Sequence, residues 1–253
     1  MNTRAQLMIV AALLAMSPLE AQGPRAMMIE ARNLAYDANY RNDQAGLRSA
    51  LAILQSLEKS SEAGYANYYL SWTYGALASS EIQANDATHA LESARRALAC
   101  ARLAVAARPN DPEFQVILAQ ALIMVMILDP PQFQKTFEEL TGVRRKALEL
   151  APANPRLVVV DAGIIFNNPS DANGKERGIA RWQEALRLFD EESKTTSMDP
   201  IEPRWGYALA YAGLANLYLR MTPPKSEEAR RAAETALRMR PDFWYARTQL
   251  PQQ

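Results

Sequence analysis

The strongest constraint on the fold of this chain is a helix ending that occurs three times. In each copy an alanine stands five residues before a proline, at the end of a long amphipathic run. The three pairs are Ala104 and Pro109, Ala147 and Pro152, and Ala236 and Pro241. The first two prolines lie 43 residues apart, and the third follows after about two such periods. This periodicity is typical of stacked helix pairs, in which each unit buries its apolar face only against its neighbours.

The amphipathic runs between these endings predict the individual helices. The predicted ranges are 26–40, 43–59, 65–82, 86–107, 113–128, 133–150, 156–166, 175–192, 203–221 and 226–240. A short closing helix is predicted to begin near Phe243. We therefore predict an all-α fold: a right-handed α-α superhelix (solenoid) of about five stacked antiparallel helix pairs with a short C-terminal capping helix.

One of these runs is ambiguous. Residues 157–166 contain a β-branched stretch that favours a strand on local propensity. The run directly follows Asn154 and Pro155, at the point where the other repeats begin a helix. The position in the repeat therefore predicts a helix.

Residues 1–21 have the pattern of a secretory signal peptide. Arg4 supplies a positive charge, residues 7–16 are ten consecutive apolar residues, and Ala21 suits a cleavage site. Ten residues are too few to span a bilayer, which takes roughly 20. We expect residues 22–253 to form a single helical-repeat domain, periplasmic or secreted and not membrane-spanning after cleavage. No cysteine stands directly after the apolar stretch to carry a lipid. The alternative to a cleaved signal peptide is a retained N-terminal anchor or an early start codon.

Charge and residue usage exclude several classes of function. Lys plus Arg and Asp plus Glu number 28 each, so the chain lacks the basic excess that favours nucleic acid. His89 and Cys100 are the sole residues of their types. A single histidine cannot supply a zinc pair, and no glycine-rich phosphate loop or Gly-x-Ser-x-Gly motif occurs. We predict no catalytic residue, no cofactor, no metal and no nucleic-acid partner.

Four further residues are of types that can bind a metal ion, line a site or react. Asp171 and Asn173 could offer oxygen atoms to calcium, but two ligands fall short of the six or more that calcium takes. Asp161 interrupts an apolar helix, and it is predicted either to hydrogen-bond to a neighbouring helix or to line a site. Cys100, between two alanines, is predicted to be a small buried hydrophobe.

The helix endings resemble those of tetratricopeptide repeats (TPR). Small residues in the first helix of each pair add to this resemblance: Gly75, Ala119, Ala162 and Gly213. The period is longer than the 34 residues of that family, so these are divergent repeats. Over residues 62–253 the chain also resembles exported bacterial TPR-like proteins, including the accessory component associated with TRAP transporters. Three features carry this second resemblance: the aromatic helix 68–75, Asn154-Pro155-Arg156 before an apolar helix, and the terminal segment 241–247. The loop 169–174 departs from the Gly-Gly pattern of that group.

The resemblance implies a non-catalytic binding or adaptor protein of the bacterial cell envelope. Its concave face would bind a protein partner, an envelope or transport component. The alternative is a periplasmic carrier of a small apolar ligand that could work beside a solute transporter. An enzyme would need a polar site that the sequence does not display.

The candidate binding surface is an apolar groove formed by the first helices. Residues 118–128 are apolar at ten of eleven positions, and residues 157–166 at eight of ten. A helix that is apolar all round is normally buried, but the first helices of a solenoid line its concave side. The predicted groove residues are Tyr69, Trp72, Ile123, Met124, Ile127, Val159 and Phe166. The alternative is that chain packing covers these side chains completely.

Overall fold

A computed structural model describes residues 23–168, 171, 173–195 and 199–250. The predicted signal peptide lies outside these residues. The part of the chain that the structure describes is built of helices and connecting loops, with no strand. None of the helices in these ranges is long and apolar enough to cross a membrane.

Eleven α-helices follow one another through the described ranges. They are α1 Pro24–Arg41, α2 Gln44–Ser56, α3 Ala63–Gln83, α4 Ala87–Ala107, α5 Pro112–Leu128, α6 Phe133–Leu150, α7 Pro155–Phe166, α8 Gly174–Ser193, α9 Tyr207–Leu219, α10 Ser226–Met239 and α11 Trp244–Thr248. A 3-10 turn, Pro130–Gln132, precedes α6. Successive helices pack as five pairs, and α11 packs against α9 and α10. The predicted all-α superhelix with a short capping helix is confirmed.

A capping side chain followed by proline begins two helices of the repeat, α5 and α7. Asp111 accepts a hydrogen bond from the Glu113 amide at 3.1 Å, and Asn154 accepts one from the Leu157 amide at 3.1 Å. Each cap is followed by proline at the first helical position, where a missing N–H costs nothing. The cap at Asn154 explains why residues 155–166 are helical despite their β-branched run.

The alanines of the repeated ending are fully buried on the second helices. Ala104, Ala147 and Ala236, near the ends of α4, α6 and α10, are each 0 % exposed. A larger side chain at these positions would push the packed helices apart. The repeated alanine in the sequence therefore reflects the need for a small side chain where the helices pack.

The start of the ninth helix differs from the prediction. Helix α9 begins at Tyr207, four residues later than the predicted start at Pro203. The backbone at Gly206 has a φ of +119°, which no right-handed helix contains. A β-carbon on Gly206 would lie 2.6 Å from the Phe189 ring, so glycine also permits close packing there. Residues 199–206 therefore form a separate connecting segment.

The two ends of the superhelix touch each other. The rings of Tyr40, in α1, and Phe243, just before α11, meet edge to face with centroids 4.8 Å apart. The Arg240 guanidinium lies 4.1 Å from the Tyr40 ring centroid and donates a hydrogen bond to Asp37 at 2.7 Å. We call these four residues the end-to-end contact. The expectation that each unit packs only against its neighbours is wrong, because the first helix also packs against the last pair.

Candidate functional site

A loop of the chain occupies part of the concave face. Residues 199–206, here called the crossing segment, connect α8 to α9 and lie across the first helices α1, α3 and α7. Ile201 is 1 % exposed and Trp205 is 7 % exposed, so the segment is packed into the face. In a helical-repeat protein this is the surface on which an extended partner would lie.

Side chains of the first two repeats hold the backbone of the crossing segment. The Tyr69 hydroxyl donates to the carbonyl oxygen of Ile201 at 2.6 Å. The Arg32 guanidinium, on α1, donates to the carbonyl oxygen of Pro200. Because carbonyl groups carry no sequence information, these contacts would suit an extended peptide of many sequences.

A third side chain of these repeats binds the crossing segment through a carboxylate. The Tyr65 hydroxyl donates to the carboxylate of Glu202 at 3.2 Å. Burial raises the pKa of Tyr65 to about 12, so this hydroxyl keeps its proton at neutral pH.

A buried charge cluster anchors the other end of the segment. Arg156 is 2 % exposed, and its guanidinium donates to both carboxylate oxygens of Glu113, at 2.9 and 3.0 Å. It also donates to Glu192 and to the carbonyl oxygen of Trp205, the latter at 2.9 Å. Burial disfavours the charged form of Arg156, but Glu113 and Glu192 outweigh it and raise its pKa above the ordinary value. The cluster ties α5, α7, α8 and the crossing segment together.

Beside the crossing segment the concave face is open. A cavity of about 310 Å³ lies between α3, α5 and the start of α9. Its larger apolar side chains are Trp72, Ile117, Ile123, Met124, Ile127, Trp205 and Leu209, and its polar ones are Asn39, Ser71, Ser79 and Gln120. None of the described residues that line it carries a charge. A cavity of roughly half this size is enough to bind benzene when its walls are apolar.

Two tryptophans form one continuous aromatic wall of this cavity. The rings of Trp72 and Trp205 have centroids 6.3 Å apart and are tilted by 52°. Tyr36 packs edge to face on Trp72 at 4.7 Å, and Trp205 donates its indole N–H to the Tyr68 hydroxyl at 2.8 Å. These contacts fix both rings in place.

The structure separates the seven predicted groove residues into three groups. Four of them line the cavity: Trp72, Ile123, Met124 and Ile127. Val159 lines a second cavity of about 280 Å³, which shares Gln120, Trp205 and Leu209 with the first. Tyr69 and Phe166 are 1 % and 3 % exposed and lie in the core, Tyr69 beneath the crossing segment and Phe166 against α8.

Sequence reasoning missed the cavity residues that come from distant elements. Asn39 lies on α1, and Trp205 and Leu209 lie at the opposite end of the chain. Only the crossing segment and the closure of the superhelix bring these residues to α3 and α5. For Trp205 and Leu209, the one signal in the sequence is the set of aromatic residues at positions 205, 207, 211 and 218.

The other polar groups singled out in the sequence serve structural contacts. Asp161 is 5 % exposed and accepts hydrogen bonds from Arg144, on α6, and from Arg181, on α8. Of the two predicted alternatives, Asp161 therefore hydrogen-bonds to neighbouring helices and does not line the cavity. The described residues contain no group of three or more His, Cys, Asp and Glu side chains placed to hold a metal ion.

His89 and Cys100 both lie on α4, away from the cavity. His89 is exposed at the N-terminus of α4, with Nδ1 2.7 Å from an Asp86 carboxylate oxygen. That hydrogen bond raises the pKa of His89 above its ordinary value. Cys100 is half-buried, and burial raises the pKa of its thiol to about 11. A thiol with that pKa stays protonated and unreactive at neutral pH.

Comparisons with known proteins agree with the fold. No protein-family model matches this chain, and no curated protein sequence matches it. The structure is similar to a thermophilic TPR protein from Thermus thermophilus, at 17 % identity and a TM-score of 0.53, covering 88 % of this chain and 96 % of that one. It is also similar to the HusA haemophore from Porphyromonas gingivalis, at 18 % identity and a TM-score of 0.60, covering 79 % and 95 %. At these identities the likeness shows the fold alone: the chain has a TPR-like helical-repeat fold.

Proposed function

We propose that this chain is a non-catalytic binding protein of the bacterial cell envelope, and that the open part of its concave face holds a small, mainly apolar ligand. The observation that carries this proposal is the uncharged cavity of about 310 Å³ beside the crossing segment. Ligand pockets in proteins are mostly apolar, begin at about 300 Å³ and contain a few placed polar groups. The signal-like pattern of residues 1–21 supports the envelope location.

The crossing segment favours a small ligand over a long one. It occupies the part of the concave face where an extended polypeptide would lie, and Ile201 and Trp205 are buried there. A partner peptide would have to displace both side chains and the hydrogen bonds of Arg32 and Tyr69. The cavity needs no such displacement. These contacts support the carrier over the adaptor.

The HusA neighbour is described as a haemophore, which makes haemin a ligand worth testing. Haemin carries two carboxylates, and a buried carboxylate needs a charged or hydrogen-bonding partner. No described residue that lines the cavity is basic. We therefore expect the cavity to prefer neutral apolar molecules to haemin.

A glycine in the cavity wall allows a clean test. A β-carbon on Gly75 would meet nothing within 4 Å, so the side chain of Gly75→Leu would start in open space at the cavity wall and fill part of the cavity. Gly142 is a matched control, because it is also helical and half-buried with open space around its β-carbon, but it lies on α6 away from the cavity. Both substitutions replace a helical glycine by a good helix former.

The measurement is the fluorescence of N-phenyl-1-naphthylamine, a neutral dye that emits in apolar sites. We expect the wild type and Gly142→Leu to enhance its emission, and Gly75→Leu not to. Haemin titrations serve as the charged comparison. If Gly75→Leu folded normally and bound the dye as well as Gly142→Leu does, the cavity would not be the binding site.

A protein partner is the second candidate function. The observation behind it is that Arg32 and Tyr69 bind backbone carbonyl groups, which a partner peptide would take over only by displacing the crossing segment. A TRAP-type or other transport component is the class of partner to test. Native mass spectrometry of the protein from its own envelope fraction separates the two. A carrier shows a small mass increment that Gly75→Leu lacks, whereas an adaptor shows a stoichiometric second chain.

A further inference from the structure

Exposed apolar side chains are concentrated at the turn between α5 and α6. Of the eight large apolar side chains that are exposed in the described ranges, three fall within eleven consecutive residues. They are Ile127, Phe133 and Phe137, at 64 %, 49 % and 43 % exposure. We call residues 127–137 the apolar tip. Residues 130–135 are all exposed, so the tip stands out at the surface.

The apolar tip is held in one shape by its own residues. Pro130 and Pro131 begin a 3-10 turn that leads directly into α6, and each proline ring fixes its φ angle. Phe133 and Phe137 lie one helical turn apart, with ring centroids at 6.0 Å and ring planes at 4° to each other. The tip therefore presents a preformed aromatic surface to the solvent.

The charges of the apolar tip favour a lipid surface as its partner. Asp129 is 8 % exposed, and its carboxylate accepts a hydrogen bond from Arg95 at 2.7 Å, so this acid is turned inward and neutralised. Lys135 is exposed between the two phenylalanines. The first exposed acid beyond the tip, Glu138, accepts a hydrogen bond from Gln134 at 2.8 Å. Exposed phenylalanine beside lysine is typical of segments that enter the headgroup region of a bilayer, where anionic lipids attract the cation.

The area of the two rings is too small for a stable interface with a second copy of the chain. Two half-exposed phenylalanines offer about 200 Å² together, since one aromatic side chain covers about 150–250 Å². Each partner of a stable dimer contributes about 800 Å². A small aromatic surface instead suits the weak and reversible attachment of a peripheral membrane protein.

The apolar tip is continuous with the rim of the cavity. Ile127 belongs to both, because it lines the cavity and is also the most exposed apolar side chain of the tip. Met124, about one helical turn earlier on α5, lines the cavity as well. A molecule that left a bilayer at the tip would therefore meet Ile127 first and then Met124.

We infer that the apolar tip docks on the surface of a lipid bilayer, with Phe133 and Phe137 among the headgroups and Lys135 facing anionic lipids, so that the cavity exchanges its apolar ligand with the membrane. This inference rests on the proposed carrier function and adds the phase with which the carrier exchanges its ligand. The carrier function requires only the cavity, whereas the inference also requires the tip.

Vesicle flotation tests the docking. The probes are vesicles of phosphatidylcholine alone and of phosphatidylcholine with phosphatidylglycerol. We expect Phe133→Ser/Phe137→Ser to bind both at least about tenfold more weakly than the wild type, because it loses the burial of two rings. The matched control is Leu150→Ser/Met239→Ser, which removes two exposed apolar side chains elsewhere; Leu150 lies about 25 Å from Phe133 along α6. This control should float like the wild type.

A charge variant tests the docking without touching the rings. Lys135→Glu changes an exposed residue, and we expect it to weaken binding to the anionic vesicles and to leave binding to phosphatidylcholine unchanged. Flotation of Phe133→Ser/Phe137→Ser at the wild-type level, or an equal loss in its control, would overturn the inference. So would a dimer that these two substitutions dissociate in sedimentation velocity while no variant floats.

Dye transfer separates the inference from the function on which it rests. Vesicles loaded with N-phenyl-1-naphthylamine are mixed with the protein, and energy transfer from tryptophan to the dye reports its arrival in the cavity. We expect Phe133→Ser/Phe137→Ser to bind free dye normally but to take it from vesicles about tenfold more slowly, in line with its weaker docking. We expect Gly75→Leu to float normally and to take up no dye.

The two failures are distinguishable. If the wild type bound the dye through its cavity but did not float, the docking would be wrong and the carrier function would stand. If Gly75→Leu took up dye like the wild type while flotation still required Phe133 and Phe137, the carrier function would fail, and with it the exchange of ligand at the membrane.

Discussion

Helix α3 serves two regions of the concave face that differ in how fully their polar groups are paired. In the filled region, under the crossing segment, the hydroxyls of Tyr65 and Tyr69 donate to Glu202 and Ile201. In the open region, Ser71 lines the cavity without a hydrogen-bond partner for its hydroxyl, and Gly75 leaves open space. Helix α3 therefore contributes to the core where the chain covers it and to a candidate site where it does not.

The largest effect is expected in the filled region, at the buried charge cluster. Arg156→Leu would leave Glu113 and Glu192 without their shared cation, and losing one partner of a buried ion pair costs about 3–5 kcal/mol. Urea unfolding monitored by circular dichroism measures the loss. The control is Arg187→Leu, which breaks an exposed i,i+4 pair with Glu191 and should cost under about 0.5 kcal/mol. Equal effects of the two substitutions would mean that the cluster does not stabilise the fold.

The second prediction concerns the glycine that ends the crossing segment. Gly206→Ala places a β-carbon 2.6 Å from the Phe189 ring at a φ of +119°. We expect a loss of roughly 2–4 kcal/mol in the free energy of unfolding, from backbone strain and overpacking together. A differential scanning measurement that found the melting temperature unchanged would show that the segment can shift without cost.

The open region should respond in the opposite direction. Gly75→Ala adds a β-carbon that meets no atom within 4 Å, and alanine favours a helix over glycine by about 1 kcal/mol. Ser71→Ala removes an unpaired buried hydroxyl and should stabilise by a similar amount. Both gains are measured as a raised urea midpoint in the unliganded protein. A loss of stability in Gly75→Ala would mean that the cavity is narrower than the structure indicates, and a loss in Ser71→Ala would mean that the Ser71 hydroxyl has a partner.

The smallest effect belongs to His89, which lies outside both regions and serves as a reference. Its pKa is raised above 6.5 by Asp86, so its contribution to stability is present below that pH and is lost as pH rises through the raised pKa. Comparing wild type with His89→Gln from about pH 5 to about pH 9 should show the difference in melting temperature shrinking toward high pH. A difference that grew with pH would reverse the assigned sign.

The repeat itself can be predicted from sequence because its causes are local. Asn154 and Pro155 cap and start a helix through neighbouring residues alone, and Ala104 and Ala147 mark close helix contacts one period apart. The crossing segment cannot be predicted in this way. Its partners Arg32 and Tyr69 lie more than 100 residues earlier in the chain, and the proline at 203 has the pattern of a helix start.

The candidate site is predictable in part for the same reason. Ile123, Met124 and Ile127 belong to one apolar helix, whose pattern is visible in the sequence. Tyr69 lies on a helix that faces the groove, yet the crossing segment covers it. Which aromatic residues stay open depends on contacts between distant parts of the chain, and local patterns do not carry that information.

The end-to-end contact has a consequence for how such a protein can change over evolutionary time. An open solenoid can gain or lose a repeat, because each unit touches only its neighbours. Here Tyr40 contacts Phe243, and Asp37 contacts Arg240, only if the superhelix between them keeps its present length. An inserted or deleted helix pair would rotate and translate the last pair away from α1 and break both contacts. The number of repeats in this protein is therefore fixed by geometry. Sequence variation during evolution must then occur in its side chains and loops.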